Sequence, residues 1–231
     1  MALCRITKIE PQRRRKSRFS VFVNGEYSFS LDAELLASVG LAEGQEIDEA
    51  RLEQIRRESE LRYARERAYR LLAVRDRSEA EMRQRLTRIG FDPATVEMTI
   101  GFLKERKYLD DRSFALRYAQ SEVAVHSVGR CELERRLRQK GLEEGVVREV
   151  VGHLLPPGEE AALAWQEALR RYRRYRNEPD REKVKARVVS FLARRGFEWP
   201  ILQDILERWQ ELEQQAQREL GEDGESEHDI G

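Results

Sequence analysis

The sequence has little of what covalent or metal chemistry needs. Two cysteines and three histidines are spread over 231 residues. Cys4 and Cys131 show no metal-type spacing, which argues against a disulfide framework or a zinc site and leaves them as buried or incidental thiols. His126, His153 and His228 are widely separated, and there is no Gly-rich phosphate loop, no Gly-x-Ser-x-Gly and no His-Glu-x-x-His. Carboxylates are plentiful, but they interleave with Arg and Lys at helical spacing and read as an ion-paired, solvated face. No catalytic residue, metal or cofactor is therefore expected, and the chain is not expected to be an enzyme. No apolar run approaches the roughly 20 residues that span a bilayer. The N-terminus (MALCRITKIEPQRRRK) lacks the apolar centre of a signal peptide, so a cytoplasmic location is expected.

What is present is a repeat. A unit of roughly 50 residues occurs three times, a period typical of modular arrays. Each copy is marked by a Leu-x-x-x-Gly-apolar turn: Leu86 to Phe91, Leu137 to Leu142 and Leu192 to Phe197. Superposing Gly90, Gly141 and Gly196 aligns Met82 with Leu133 and Val188, and Val96 with Val147 and Leu202. The same superposition aligns Ile100 with Val151 and Leu206, and Leu103 with Leu154 and Trp209. The pattern predicts a mainly α fold of three tandem three-helix repeats in an elongated array, in which neighbouring units complete one another's cores.

Punctuation along the chain refines this. Phe19, Val21 and Val23 alternate with polar or outward positions, Asn24-Gly25 interrupts, and Tyr27, Phe29 and Leu31 resume, which predicts a β-hairpin. Asp32 is placed to cap a short helix ended by Gly40, and Asp48 to start the next. Residues 1–58 are thus read as a hairpin with short helices, 59–109 as the first repeat, 110–155 as the second and 156–212 as the third. Residues 213–231 are read as an acidic tail too polar to order itself. In the first repeat Ser78 and Glu81 have capping-box spacing, and Asp92-Pro93 places a cap before a proline at the first helical position.

The formal net charge of zero conceals strong local asymmetry. Residues 1–31 carry Arg5, Lys8, Arg13, Arg14, Arg15, Lys16 and Arg18 against Glu10 and Glu26. Residues 170–195 are also strongly basic, whereas in residues 211–231 the one basic residue is Arg218. Local density of this kind attracts polyanions whatever the overall charge. On the first helix of the third repeat, Trp165, Leu169 and Tyr172 share an inward face. Arg170 and Arg174 then point away, with Arg171 and Arg173 on the flanks and Lys183, Lys185 and Arg187 beyond the next turn. This corner, with few compensating acids in sequence, and the run Arg13, Arg14, Arg15 and Lys16 are the candidate sites for a partner or nucleic acid. The aromatics Trp165, Tyr172, Phe191 and Trp209 read as core.

The repeat, the Tyr-Leu-Asp-Asp-x-x-Phe-Ala segment (Tyr108 to Ala115) and the Arg-Ser-x-x-Glu-x-x-x-x-Leu run (Arg77 to Leu86) together resemble the bacterial regulatory protein RecX family, over residues 60–212. The N-terminal strand-rich segment is similar to the leader of long members. The resemblance implies a non-enzymatic modulator of the RecA recombinase. Such a protein binds RecA and the RecA-DNA filament and limits filament growth, and so modulates recombination, DNA repair and the SOS response. It implies no catalytic motif, so the site residues rest on charge geometry alone; direct contact with single- or double-stranded DNA, no membrane partner and a monomeric chain complete the expectation. The competing reading is a helix-turn-helix transcriptional regulator, since a three-helix module with a glycine turn can present a helix to a major groove. Against it, the helices after Gly90 and Gly141 offer few Arg, Asn or Gln side chains to read base edges.

Overall fold

A computed structural model describes residues 3–13, 15–175 and 177–225, with side chains placed as far as Glu219. The fold is mainly helical, with a small N-terminal antiparallel sheet. It falls into two compact units, residues 1–77 with 81–109, and residues 78–80 with 110–231.

In the first unit, β1 (Leu3–Gln12), β2 (Arg15–Val23), β3 (Glu26–Asp32) and β4 (Glu46–Asp48) form one antiparallel sheet in the order β3-β2-β1-β4. The β2–β3 hairpin turns as its sequence predicts, with Asn24 at φ 52° and Gly25 at φ 90°, the two positive values that a type I′ turn requires. Val21 lies opposite Phe29 and Phe19 opposite Leu31. A register shift between Val21 and Phe22 follows, and Tyr27 faces solvent with its ring edge-on to Phe22 at 6.0 Å. Asp32 accepts the Leu35 N–H at 2.8 Å to start α1 (Ala33–Val39), and Gly40 ends it in the left-handed region. Ile6, Val21, Phe29, Leu31, Leu35 and Ile47 form the core here, closed by Leu52 and Ile55 from α2 (Glu49–Leu72).

Helix α2 also corrects the division of the chain at residue 58. It is a single helix of 24 residues that gives Leu52 and Ile55 to the sheet and Ala64 and Ala68 to the first repeat. That repeat is completed by α3 (Glu79–Ile89) and α4 (Pro93–Glu105), the latter capped by Asp92, which accepts the Ala94 and Thr95 N–H groups.

The second unit holds the other two repeats. Helices α5 (Asp111–His126), α6 (Arg130–Gln139) and α7 (Glu144–Leu154) enclose Phe114, Leu133, Leu137, Val147 and Val151. Helices α8 (Pro157–Arg173), α9 (Arg181–Arg194), α10 (Trp199–Glu207) and α11 (Trp209–Glu225) enclose Ala168, Tyr172, Val188, Leu192, Leu202 and Ile205. Each repeat has its own core, and Leu163 packs against both the second and the third.

The three turns share one construction. The N–H groups of Phe91, Leu142 and Phe197 donate to the carbonyls of Leu86, Leu137 and Leu192 at 3.4, 3.4 and 3.3 Å. The intervening Gly90, Gly141 and Gly196 have φ of 106°, 75° and 82°. This is the Schellman helix ending, in which glycine supplies a left-handed residue and two apolar side chains close over it. The three leucines are fully buried, each worth about 1.5–3 kcal/mol. The aligned core positions hold with one slip. In the third repeat Ile205 is buried and Leu206 only half-buried, because α10 stops at Glu207 and the chain bends at Arg208 into α11.

That last helix corrects the reading of residues 213–231 as an unordered tail. Leu212 and Ala216 are fully buried in the third core. Gln215 accepts from the Trp165 indole at 2.8 Å, and Glu213 accepts from the Trp209 indole at 3.1 Å. The apolar positions 209, 212 and 216 carry helical spacing into the acidic stretch, and this outweighs its polarity. Residues 226–231 lie outside the described residues.

Candidate functional site

The third repeat places its basic side chains as the helical spacing requires. Leu169 and Tyr172 are buried, Arg170 and Arg174 are exposed, and Arg171 and Arg173 are half-buried on the flanks. Many of these charges are neutralised by carboxylates brought from elsewhere in the fold, which corrects the expectation of few compensating acids. Arg170 pairs with Glu167 one turn back on α8, and Arg173 pairs with Glu219 on α11. Glu178 takes both Lys183 at 3.5 Å and Arg187 at 3.1 Å. Arg181 reaches Glu213 at 3.3 Å and donates to the Tyr172 hydroxyl; burial, and after it Glu213, raises the pKa of that phenol. Among the described residues, Arg171, Arg174 and Lys185 are members of the predicted corner with no carboxylate within ion-pair distance.

Two of those join a residue that the sequence reading missed. Arg195 follows α9, and its guanidinium donates to the His126 carbonyl at 2.5 Å. A cleft of about 180 Å³ at the joint of the second and third repeats is lined by Arg170, Arg171, Arg174, Arg195, His126 and Glu167, among others. Four guanidiniums therefore surround one buried carboxylate, itself engaged by Arg170. The side chains behind them form a ladder. Arg195 and Arg171 lie over the Phe191 ring at 5.1 and 4.5 Å, and Arg171 and Arg187 lie over the Tyr175 ring at 5.3 and 5.2 Å. The signal was present as Arg187, Phe191 and Arg195 at i, i+4 and i+8 on α9, and Arg171 and Tyr175 at i, i+4 on α8.

Backbone contacts hold the cleft's two walls together. The Gly129 N–H donates to the Arg195 carbonyl at 2.8 Å, and the Cys131 N–H to the Gly196 carbonyl at 3.1 Å. Any Cβ at Gly129 would sit 2.5 Å from the Gly196 oxygen, and any Cβ at Gly196 would sit 2.3 Å from the Glu132 nitrogen. The glycine of the third repeat's turn is thus also a joint between repeats. Beside it Glu132 accepts from Arg135 and Arg136, and those guanidiniums, Arg135 first, hold its carboxyl down to about 2. Glu160, buried, accepts the Arg130 N–H at 2.8 Å at the start of α6; burial pushes its pKa upward.

The N-terminal run behaves differently. Arg13 is exposed in the turn between β1 and β2, Lys16 is exposed on β2, and Arg14 lies outside the described residues. Arg15 donates to the Tyr63 hydroxyl at 2.7 Å, and the neighbouring Arg18, buried, lies 4.2 Å over the Tyr63 ring and donates to the Ser30 carbonyl at 2.9 Å. Arg15 and Arg18 are committed to joining the sheet to α2. This basic group and that of the third repeat belong to separate compact units.

Among the described residues no group of three or more His, Cys, Asp or Glu could hold a metal ion, and no helix is long and apolar enough to cross a membrane. The fold defines a class: a protein of tandem three-helix repeats carried behind a small antiparallel sheet. Comparison with known proteins narrows it. Residues 4–48 match the regulatory protein RecX N-terminal domain, residues 64–103 the RecX first three-helix domain and residues 158–206 the RecX third three-helix domain. A regulatory protein RecX from Clostridium acetobutylicum is 30% identical over 87% of this chain and 94% of its own length. One from Listeria monocytogenes is 28% identical over 84% and 71%. A crystal structure of a regulatory protein RecX superposes with a TM-score of 0.63 at 28% identity, covering 87% of this chain and 99% of the other. That of RecX from Lactobacillus salivarius, 17% identical with a TM-score of 0.59 over 67% and 97%, shares the fold. The chain belongs to the regulatory protein RecX family.

Proposed function

We propose that this protein is a non-enzymatic, cytoplasmic modulator of the RecA recombinase. It binds RecA and the RecA-DNA filament, limits filament growth, and so restrains recombination, repair and the SOS response. Family membership across the sheet and the repeats carries this reading. The third repeat's basic surface supports it, since Arg171, Arg174, Lys185 and Arg195 remain free of carboxylate partners in a protein whose other charges are largely paired.

The helix-turn-helix alternative has weaker support. The exposed face of α7 presents Glu144 and Glu149, paired with Arg138 and Arg112, and α4 presents Glu97 paired with Arg83. Carboxylates on the would-be recognition helices repel a phosphate backbone. The test is binding of the full chain to immobilised RecA, to RecA filaments on single-stranded DNA and to bare DNA of specific and scrambled sequence. The proposal expects RecA-dependent capture. Capture that depends on one duplex sequence and not on RecA would overturn it. Charge reversal of Arg171 and Arg174 is expected to weaken inhibition of RecA; unchanged inhibition by a folded variant would remove the third repeat from the contact surface.

A further inference from the structure

The cleft between the second and third repeats has a charge problem that nothing in the fold solves. Arg170, Arg171, Arg174 and Arg195 line about 180 Å³ together with a single carboxylate, Glu167, which already pairs with Arg170. Through the shared Phe191 ring, Arg171 and Arg195 stand no more than about 10 Å apart, comparable to the screening length at 0.1 M salt, so their repulsion is felt. Their positions are fixed. Arg195 is tied to the His126 carbonyl, and Arg171 donates to the Tyr175 hydroxyl at 3.0 Å while its Nε is buried over the rings without a hydrogen-bond partner. Guanidiniums held in place against their mutual repulsion are preorganised for an anion.

We infer that this cleft and the ladder running from it bind the phosphodiester backbone of a nucleic acid. The cleft is too small for a base, and Phe191 and Tyr175 are half-buried with guanidiniums on their faces, so no ring is open for base stacking. Recognition is therefore of the backbone and independent of sequence. The ladder Arg195, Phe191, Arg171, Tyr175, Arg187 presents successive cations along one line, which matches a chain of phosphates better than a single ion. The inference rests on the third repeat's basic surface being a contact surface, and it needs no RecA.

The test therefore omits RecA. Binding of the full chain to labelled dT30 is followed as salt is raised, for the wild type, for Arg171→Gln/Arg174→Gln/Arg195→Gln, and for Arg56→Gln/Arg57→Gln/Arg62→Gln, which removes equal charge from α2. Each phosphate contact on a single strand contributes about 0.7 to the slope of log affinity against log salt, so losing three lowers the slope by about 2 and the affinity at 0.1 M salt by about 100-fold. Because Arg195 also bonds to the joint, Arg174→Gln alone is measured as well and is expected to lower the slope by about 0.7 with unchanged thermal unfolding. An uncharged peptide nucleic acid of the same length is expected not to bind, and millimolar inorganic phosphate to compete weakly. Equal loss in both triple variants, a wild type that does not bind dT30, or polyglutamate binding as tightly as dT30 would each overturn the inference. The last would assign the cleft to an acidic protein surface. Loss of dT30 binding with RecA capture intact would leave the proposed function standing, and the reverse would leave the cleft assignment standing.

Discussion

Three glycine-to-alanine substitutions separate the two jobs of the repeated turn. At Gly90 (φ 106°) an added Cβ meets nothing within 4 Å, so Gly90→Ala isolates the cost of a left-handed alanine, about 1–2 kcal/mol. At Gly129 (φ −79°) the backbone suits any residue, but a Cβ would lie 2.5 Å from both the Gly196 carbonyl oxygen and the Phe197 nitrogen. These are backbone atoms that cannot rotate aside. Gly129→Ala therefore isolates the steric cost of prying the joint apart, about 1–3 kcal/mol, and it strains the two hydrogen bonds that cross there. Gly196→Ala (φ 82°) combines both, with a Cβ 2.3 Å from the Glu132 nitrogen, and is expected to cost about 2–5 kcal/mol. Denaturant unfolding of the three full-length variants, with amide exchange at Gly129 and Cys131 reporting the joint, checks the order Gly196→Ala above either single effect. Gly129→Ala within about 0.5 kcal/mol of wild type, the range of an ordinary surface change, would refute the joint.

Three further outcomes follow from particular contacts. The Glu132 carboxyl, held near 2 against an ordinary 4.5 by Arg135 and then Arg136, contributes stability that is complete above about pH 4.5 and is lost as pH falls toward 2. A carboxyl titration followed by NMR should place its midpoint near 2, and a midpoint at the ordinary value would break the assignment. Ending the chain after Leu212 removes Ala216 and the acceptors of the Trp165 and Trp209 indoles, and should destabilise the third repeat by about 2–4 kcal/mol; ending it after Glu225 should leave the melting curve unchanged. Arg18→Ala removes a buried stack on Tyr63 and a bond to Ser30, and should cost about 1–3 kcal/mol in urea unfolding, whereas Arg13→Ala should cost nothing measurable.

The repeat was legible because it rests on strong local rules: a glycine at each left-handed helix end, a leucine five residues before the closing apolar side chain, and caps such as Asp32, Asp92 and Asp110. The β2–β3 hairpin was legible for the same reason. Strands β1 and β4 were not, because LCRITKIEPQ buries Ile6 as its one core side chain and Glu46–Asp48 is three residues long. Helix α11 was hidden by its acidity, since the apolar positions that seat it are diluted by Glu and Gln on the exposed side. The basic corner was found, but its composition was misjudged. Ion pairing joins residues distant in sequence, as Arg173 with Glu219, and removes cations from the count. Arg195 entered only when the fold brought the end of α9 against the end of α5.

The central claim is that this protein limits RecA filaments. Its most direct test adds the purified chain to RecA on single-stranded DNA with ATP and follows ATP hydrolysis and filament length together, with the Arg171→Gln/Arg174→Gln/Arg195→Gln variant alongside. The account predicts that hydrolysis falls and filaments shorten at substoichiometric protein, and that the variant needs more protein for the same effect. Hydrolysis and filament length unchanged at a one-to-one ratio, with the protein folded, would contradict it.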